Sequence, residues 1–408
     1  MERKHESSGA RIVLGKRREN SNRNLSEIFK IKKISSKHLH IVSFNVPFPA
    51  NYGGVIDIFY KIKALHQLGI KIHLHCFQYG RTESKELEKY CESVNYYPRK
   101  NNFSNAFHYL PYIVASRSSE KLMQNILKND APILFEGLHS CHFLNDARIK
   151  NRLKIYRESN IEHHYYWHLF KSEKNVFKKI FFLSEYFKLL FYQKILKYSD
   201  LMLVVSEADK KYLHEKFPNK KIIYLTSFHG NEKLNSITGK GNYVLYHGNL
   251  SVAENENAAM YLLKTIFSET EIPFKIAGLN PSERLKKTIA SFKNVELIEN
   301  PDDAKMQDLV QQAHVHFLIT FQATGLKLKL LNTLYNGRFC LVNKNMLSGT
   351  NLENVCCVAD TAEEMKQKLK ELFEIEFTSS EIEKRKGVLK NYFSDEENAK
   401  KINELIFG

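Results

Sequence analysis

Short apolar runs recur along this chain with room for one helix between successive runs, and that alternation constrains the fold more than any other feature. The strand-like runs of the first half are His38–Phe44, Ile70–Phe77, Val94–Tyr97, Pro132–Phe135, Leu153–Arg157, Leu201–Val205 and Lys221–Leu225. A second series comprises Tyr243–His247, Pro273–Ala277, Val295–Ile298, His314–Ile319, Phe339–Val342 and Val355–Val358. Between them lie helical patterns. In Val55–Leu68, positions 55, 58, 59, 62, 65 and 68 are apolar, the 3.6-residue period. Glu83–Cys91, Ser119–Lys128, Glu207–Lys216, Asn257–Phe267, Ala304–Gln312 and Glu363–Phe373 read the same way. Ser172–Tyr198 reads as one long helix or a pair. Strands separated by helices pair in parallel, so the expectation is an α/β chain with two doubly wound parallel-sheet domains.

The best separator of the two series is Phe228–Asn242, rich in Gly, Asn, Lys and Ser. The expected organisation is a basic, disordered extension over residues 1–36, a first domain over 37–230 and a linker over 231–242. A second domain follows over 243–390. A last helix over 391–408, with Glu396–Ile406 at its centre, is placed to cross back onto the first domain. At 408 residues the chain can form two full cores.

Charge is unevenly spread. Residues 1–200 hold 34 Lys and Arg against 18 Asp and Glu, whereas the remainder is balanced, so the whole net charge of +16 belongs to the first half. This suits an anionic partner such as a membrane face or nucleic acid, and equally suits a solvated basic surface. No RNP, KH or zinc pattern accompanies it, so nucleic acid is not expected. No run of eighteen apolar residues occurs and no apolar signal core opens the chain, so neither a membrane span nor an export signal is expected. The six cysteines form no CxxC pair and read as reduced thiols of a cytoplasmic protein. Alternating histidines at 38–40, 73–75 and 314–316 share strand faces but lack a third ligand, and no D-x-D motif occurs, so no metal is expected.

Three stretches carry the candidate chemistry. Gly53 and Gly54 open a helix directly after the first strand, where backbone approaches a ligand closely. Glu136-Gly137-Leu138-His139 ends a first-domain strand, and Asn160-Ile161-Glu162-His163 ends the next. In Thr320–Val342, a strand leads through Ala323-Thr324-Gly325 into a helix over Leu326–Tyr335. That helix stops at Asn336-Gly337, where a left-handed glycine is the usual terminator. A helix starting at a strand's carboxyl end favours an anion at its exposed N–H groups, and Lys327 and Lys329 add charge there. The same lysines would also suit the solvated face of the helix.

The pattern T-G-x-K-x-K-x-L-N-x-L-x-x-G-R, from Thr324 to Arg338, resembles the donor-site motif of family 4 glycosyltransferases. These have the GT-B fold, two Rossmann-like domains facing a cleft. The family usually carries two glutamates eight positions apart, and here Thr324 and Asn332 stand at those positions. The resemblance covers roughly residues 38–375. Tyr246-His247-Gly248-Asn249-Leu250 is similar to the family's G-x-L turn after the first strand of the second domain, with Asn249 where an Arg usually holds diphosphate.

The resemblance implies a metal-independent, retaining transferase with no cofactor. It would take a UDP- or GDP-linked sugar as donor and a cell-envelope glycan or lipid-linked molecule as acceptor. Gly53, Gly54, Gly248, Asn249, Thr324, Gly325, Lys327, Lys329 and Asn332 would hold the donor. His139, with Glu136 as a partner, and Glu162 would serve the reacting sugar and the acceptor. A surface-loop role for His139 and a helix-capping role for Glu162 stay open. The missing glutamates also suit an inactive protein that keeps the fold. Residues 164–198 interleave aromatics with lysines, as a membrane-surface segment does and as a core helix with a basic outer face does.

Overall fold

The computed structural model describes residues 37–321 and 327–408, so the 1–36 extension, Thr324 and Gly325 lie outside the described residues. The first sheet contains β1 (His38–Ser43), β2 (Lys71–Gln78), β3 (Ser93–Pro98), β4 (Ile133–Glu136), β5 (Lys154–Glu158), β6 (Leu201–Val204) and β7 (Lys221–Tyr224). Their spatial order is β3-β2-β1-β4-β5-β6-β7, with every pairing parallel. The second sheet contains β8 (Val244–Asn249), β9 (Phe274–Leu279), β10 (Val295–Glu299), β11 (Val315–Leu318), β12 (Phe339–Val342) and β13 (Cys357–Val358). It runs β10-β9-β8-β11-β12-β13, again all parallel.

Both orders reverse once, between β1 and β4 in the first sheet and between β8 and β11 in the second. At such a switch point the flanking connections leave on opposite faces, and a crevice opens beyond the carboxyl ends of the strands. The fold therefore selects four loops as ligand-facing: those after β1, β4, β8 and β11.

Helix Gly53–Gln67 covers one face of the first sheet through buried Val55, Ile58, Phe59, Ile62 and Leu65, each apolar side chain contributing about 1.5–3 kcal/mol when fully buried. It also buries charge. Lys61 Nζ donates to Asp57 at 2.8 Å and to Glu136 at 2.7 Å, and Arg157 pairs with Asp57 at 3.1 Å. Asp57 accepts from the Phe228 N–H at 2.8 Å, and Arg157 donates to the Leu225 and Thr226 carbonyls. Burial pushes the Asp57 carboxyl up, but Arg157 and Lys61 outweigh it and hold it below the usual carboxylate range. The cluster pins the exit of the first domain.

The strands lie close to their expected positions, but several helices differ. The expected Ser172–Tyr198 segment is one helix, Val176–Tyr192, followed by a 3₁₀ turn Gln193–Tyr198, and a separate helix, Glu162–Ser172, precedes it. The break falls at Glu173-Lys174-Asn175, where the Glu173 carboxylate accepts from the next two N–H groups and Asn175 caps the second helix. The Glu83–Cys91 helix is only a 3₁₀ turn, Lys85–Lys89, with Leu87 as its one buried anchor. Helices Glu283–Ile289 and Ser379–Tyr392 are among those that had no clear sequence signal.

Gly337 also terminates its helix for a different reason than expected. Its φ is −105°, outside the left-handed region. A Cβ there would lie 2.2 Å from His316 Nε2, so the position requires glycine for space.

The chain crosses between domains twice. After helix Ser379–Tyr392 it passes Phe393–Asp395 and ends in helix Asp395–Phe407, whose Ala399, Ile402 and Ile406 join the first-domain core. The two crossings are bonded to each other. His229 Nε2 lies 2.7 Å from the Phe393 carbonyl, the Gly230 N–H donates to Asp395 at 2.8 Å, and Thr226 Oγ1 donates to the Tyr392 carbonyl at 2.9 Å.

Candidate active site

On the first-domain side, β4 ends at Glu136 and turns at Gly137, whose φ of +69° suits glycine. The turn presents His139 against the Phe44 ring, 5.2 Å between centroids. β5 ends at Glu158 and leads through Ser159-Asn160-Ile161 into helix Glu162–Ser172, so Glu162 is its first residue. The two loops meet. His139 Nδ1 lies 3.6 Å from Glu162 Oε1, just beyond hydrogen-bond reach.

Burial dominates the protonation of this pair. It pushes the Glu162 carboxyl up to about 8, with Arg117 opposing. Burial, then Arg117 and Arg99, hold the His139 imidazole well below its usual value. At neutral pH the pair is therefore a protonated carboxyl beside a neutral imidazole. That combination can donate a hydrogen bond and accept one without placing a charge between the two loops.

Glu136 is not the partner of His139. Its carboxylate accepts from Lys61 within the buried cluster, and Glu162 takes the place beside the imidazole.

Two residues of this half carry no sequence motif. Arg117 is buried, donating through Nε to the Phe44 carbonyl at 2.8 Å and through a terminal nitrogen to the Ile113 carbonyl at 2.6 Å. Its positive charge acts on Glu162. Glu158 accepts from the Tyr156 hydroxyl at 2.7 Å and from the Asn160 N–H at 3.1 Å, and so shapes the turn that delivers Glu162.

The glycines after β1 separate in role. A Cβ on Gly54 would sit 2.5 Å from Phe44 Cζ, so this glycine lets the helix start close to the ring that backs His139. A Cβ on Gly53 would meet nothing within 4 Å, so Gly53 borders open space. The helix starts at Tyr52 without a side-chain cap.

On the second-domain side, Gly248 and Asn249 end β8, and helix Ala253–Thr265 follows. The Asn249 side chain folds back on its own turn, accepting from the Ser251 N–H at 3.1 Å and the Ser251 hydroxyl at 2.7 Å. Asn255 Nδ2 donates to the Asn249 carbonyl at 2.9 Å, and Asn255 Oδ1 accepts from Lys329 at 3.2 Å. Lys329, near the start of helix Leu328–Asn336, also lies 5.0 Å from the centre of the Tyr246 ring. The two sequence motifs, Gly248-Asn249 and Lys327-x-Lys329, therefore meet through Asn255.

Glu254, which no motif marked, lies among them. Thr320 donates to its carboxylate, and it acts electrostatically on Lys327 and Lys329. Burial lowers both ammonium groups, Lys329 to about 8, and Glu254 opposes the shift.

Asn332 faces elsewhere. Its Oδ1 accepts from Asn336 Nδ2 at 3.0 Å, and that amide also donates to linker Asn231 at 3.1 Å. Its side chain is thus tied to the interdomain linker and not to the β8 turn.

The two halves face each other. Glu254 acts electrostatically on Tyr165 of the first domain. Gly349, with φ of +74°, approaches so closely that a Cβ would lie 3.0 Å from Ser206 Cβ across the domain boundary.

The strand histidines form a different structure. His38 pairs with His73 and His40 with His75, each at 2.9 Å, and His75 continues to the Tyr97 hydroxyl. Among the described residues, no group of three or more His, Cys, Asp or Glu could hold a metal ion.

Two doubly wound parallel-sheet domains, with all ligand-facing loops at opposed switch points, define the GT-B fold. Comparison with solved structures agrees. The chain resembles sucrose-phosphate synthase from Thermosynechococcus elongatus at a TM-score of 0.66 and 12% identity, covering 90% of this chain and 98% of that one. It resembles a glycosyltransferase from Rickettsia africae at 0.61 and 15% identity, covering 91% and 98%. It also resembles HepE of Anabaena, solved with UDP and glucose, at 0.61 and 10% identity, covering 90% and 98%. Identities this low bear on the fold alone. In sequence, the chain is 26% identical over 330 residues to an uncharacterized 44.6 kDa protein in the cps region of Klebsiella pneumoniae, covering 76% of this chain and 84% of that protein. No family model matches the chain.

Proposed function

We propose that this protein is a glycosyltransferase that moves a sugar from a UDP- or GDP-linked donor to a cell-envelope or capsule acceptor. The observation that carries the reading is the convergence of Gly248, Asn255, Lys327 and Lys329 at the second switch point, opposite His139 and Glu162 at the first. Opposed switch-point crevices suit a substrate with an anionic nucleotide end and a neutral sugar end. HepE, solved with UDP and glucose, shares the fold, and the Klebsiella relative lies in a cps region.

The lysines and the amide groups at the start of helix Leu328–Asn336 would stabilise the departing diphosphate. The protonated Glu162 carboxyl and neutral His139 would orient hydroxyls of the reacting sugar or the acceptor. Retention of configuration, independence of metal and a lipid-linked acceptor belong to this proposal. A seat at the inner face of the plasma membrane belongs to it too. Among the described residues no helix is long and apolar enough to cross a membrane.

A thermal-shift series with UDP, GDP and their sugars tests the donor site, since a ligand of the folded state raises the midpoint with concentration. No response to any of them would overturn the reading. Transfer assays with and without a chelator, and the anomeric form of the product, test the chemistry. Asn332, tied to the linker, favours a second reading in which the fold binds donor without turnover. Binding without transfer or hydrolysis would support that one.

A further inference from the structure

We propose that the outward face of helix Val176–Tyr192 seats this protein on an anionic lipid surface. Residues 177, 180, 184, 187 and 191 fall on one side of a helix. Four of them are large and apolar, and the structure leaves them in solvent: Phe177 is 84% exposed, Ile180 62%, Phe187 49% and Phe191 64%. The opposite side, with Glu185 and Leu189, is the buried one. The usual amphipathic arrangement is thus inverted: a stripe about 21 Å long, from Phe177 to Phe191, has no core to enter. A core helix with a basic outer face, the other reading of this segment, would turn these residues inward.

The charge around the stripe names its occupant. Lys171, Lys174, Lys178, Lys194 and Lys197 are exposed and Lys179 is half-buried. Glu162 and Glu185 are buried, the latter accepting from the Tyr112 N–H at 2.6 Å and from Lys188 at 2.9 Å. That leaves Glu173 as the segment's one acid outside the core. Lys171, Lys179 and Lys194 lie over the Trp167, Phe170 and Phe191 rings at 5.2, 5.1 and 5.8 Å. Apolar rings with ammonium groups beside them suit lipid headgroups, the rings entering the acyl boundary while the lysines reach phosphates. A second copy of the chain would bring the same lysines face to face, which disfavours self-association. The loop bearing Tyr109, 81% exposed, is fastened beside the helix by Lys188 donating to the Ala106 carbonyl at 2.7 Å, and widens the surface.

The face connects to the cleft. Helix Glu162–Ser172 starts at the cleft with Glu162 and ends where the exposed helix begins, a distance of about 16 Å along its axis. An acceptor anchored in the bilayer is thereby presented to the His139–Glu162 side. This last step rests on the glycosyltransferase reading, whereas the lipid contact does not.

Flotation of the full chain with phosphatidylcholine vesicles, with and without phosphatidylglycerol, tests the surface. The wild type is expected to float only with the anionic vesicles and to be released by salt. Phe177→Ser and Phe191→Ser should each weaken partition about tenfold or more. Lys174→Glu and Lys178→Glu should weaken it by roughly fivefold or more each. All four positions are exposed, so circular dichroism and the UDP or GDP thermal shift should stay unchanged. Absence of flotation by the wild type, or equal flotation by the variants, overturns the proposal. So does a dimer in sedimentation that Phe177→Ser dissociates. Flotation lost in the variants, with no nucleotide response even in the wild type, would leave the surface standing and remove the glycosyltransferase reading.

Discussion

His139 Nδ1 stands 3.6 Å from Glu162 Oε1, although the two belong to loops after different strands and lie more than twenty residues apart. Burial keeps the imidazole neutral and pushes the carboxyl up to about 8. Both groups are therefore uncharged at neutral pH, and the pair is not an ion pair.

If the protonated carboxyl is the working form, Glu162→Gln retains transfer within about tenfold, while Glu162→Ala loses about a hundredfold or more. In the wild type, activity falls as the pH rises through about 8, and Glu162→Gln removes that limb. The linkage runs the same way for stability. The folded state holds this proton between 4.5 and about 8 where the unfolded chain releases it. The contribution is full below 4.5 and is lost as the pH rises through about 8. Initial rates and urea unfolding across that range check both, and a Gln variant as inactive as Ala would remove the hydrogen-bonding role.

Lys329→Ala is expected to weaken UDP or GDP binding by roughly ten- to a hundredfold, the loss of one charge-assisted hydrogen bond. Glu254→Gln should act in the opposite sense, since it removes a negative charge beside both lysines. In the empty protein Lys329 loses its proton near 8, so affinity should fall above that pH. Calorimetric titration of wild type and both variants at two pH values measures all three effects. Weaker binding by Glu254→Gln would show that the carboxylate is needed to position the lysines.

Lys61→Met should cost about 3–5 kcal/mol of stability, because it leaves the Asp57 and Glu136 carboxylates buried with one cation fewer. Glu136→Gln should lower stability without changing donor affinity, whereas His139→Ala should lower transfer with little change in stability. Denaturant unfolding beside donor binding separates the two. Equal effects of both substitutions on transfer would return Glu136 to the reacting groups.

Gly337→Ala is expected to cost about 1–3 kcal/mol through contact with His316. Replacing His316 with Ala in the same chain should recover part of that loss. Gly337→Asn, tolerated at a left-handed terminator, should fare worse than Gly337→Ala. Relative unfolding midpoints decide it, and a neutral Asn variant would mean that the backbone is left-handed after all.

Acid should unfold this protein early. His40 and His247 are lowered by burial to about 3, and His75, His139 and His316 are also held well below 6.5. Each lowered imidazole contributes stability that is complete above 6.5 and is lost as the pH falls toward about 3. Thermal midpoints should therefore drop steeply below about pH 6, and His40→Gln should flatten the decline. A midpoint constant down to pH 4 or so would contradict the buried neutral state.

Periodicity made the architecture readable because burial enforces it. Val55, Ile58, Phe59, Ile62 and Leu65, chosen by spacing, are buried on one helix face. The same rule left Phe177, Ile180, Phe187 and Phe191 open between an inward and an outward face, since spacing shows which residues share a face and not which way that face points. The glycine and lysine motifs fell at the switch points because strand ends are visible in sequence. Contacts made by side chains from distant loops are not, so neither Arg117, bonded to carbonyls, nor Glu254, bonded to Thr320, carried a signal. Gly337 is legible as a helix terminator, but the reason for glycine there lies in His316 on another strand. Asn332 was placed by register with a motif, and only its bond to Asn336 shows it turned to the linker.

The bonds of His229 to Phe393, Gly230 to Asp395 and Thr226 to Tyr392 fasten the two interdomain passages into one double-stranded joint. Bonded to each other at three points, the two passages cannot slide past one another without breaking a hydrogen bond, so the joint restrains the register in which one domain faces the other.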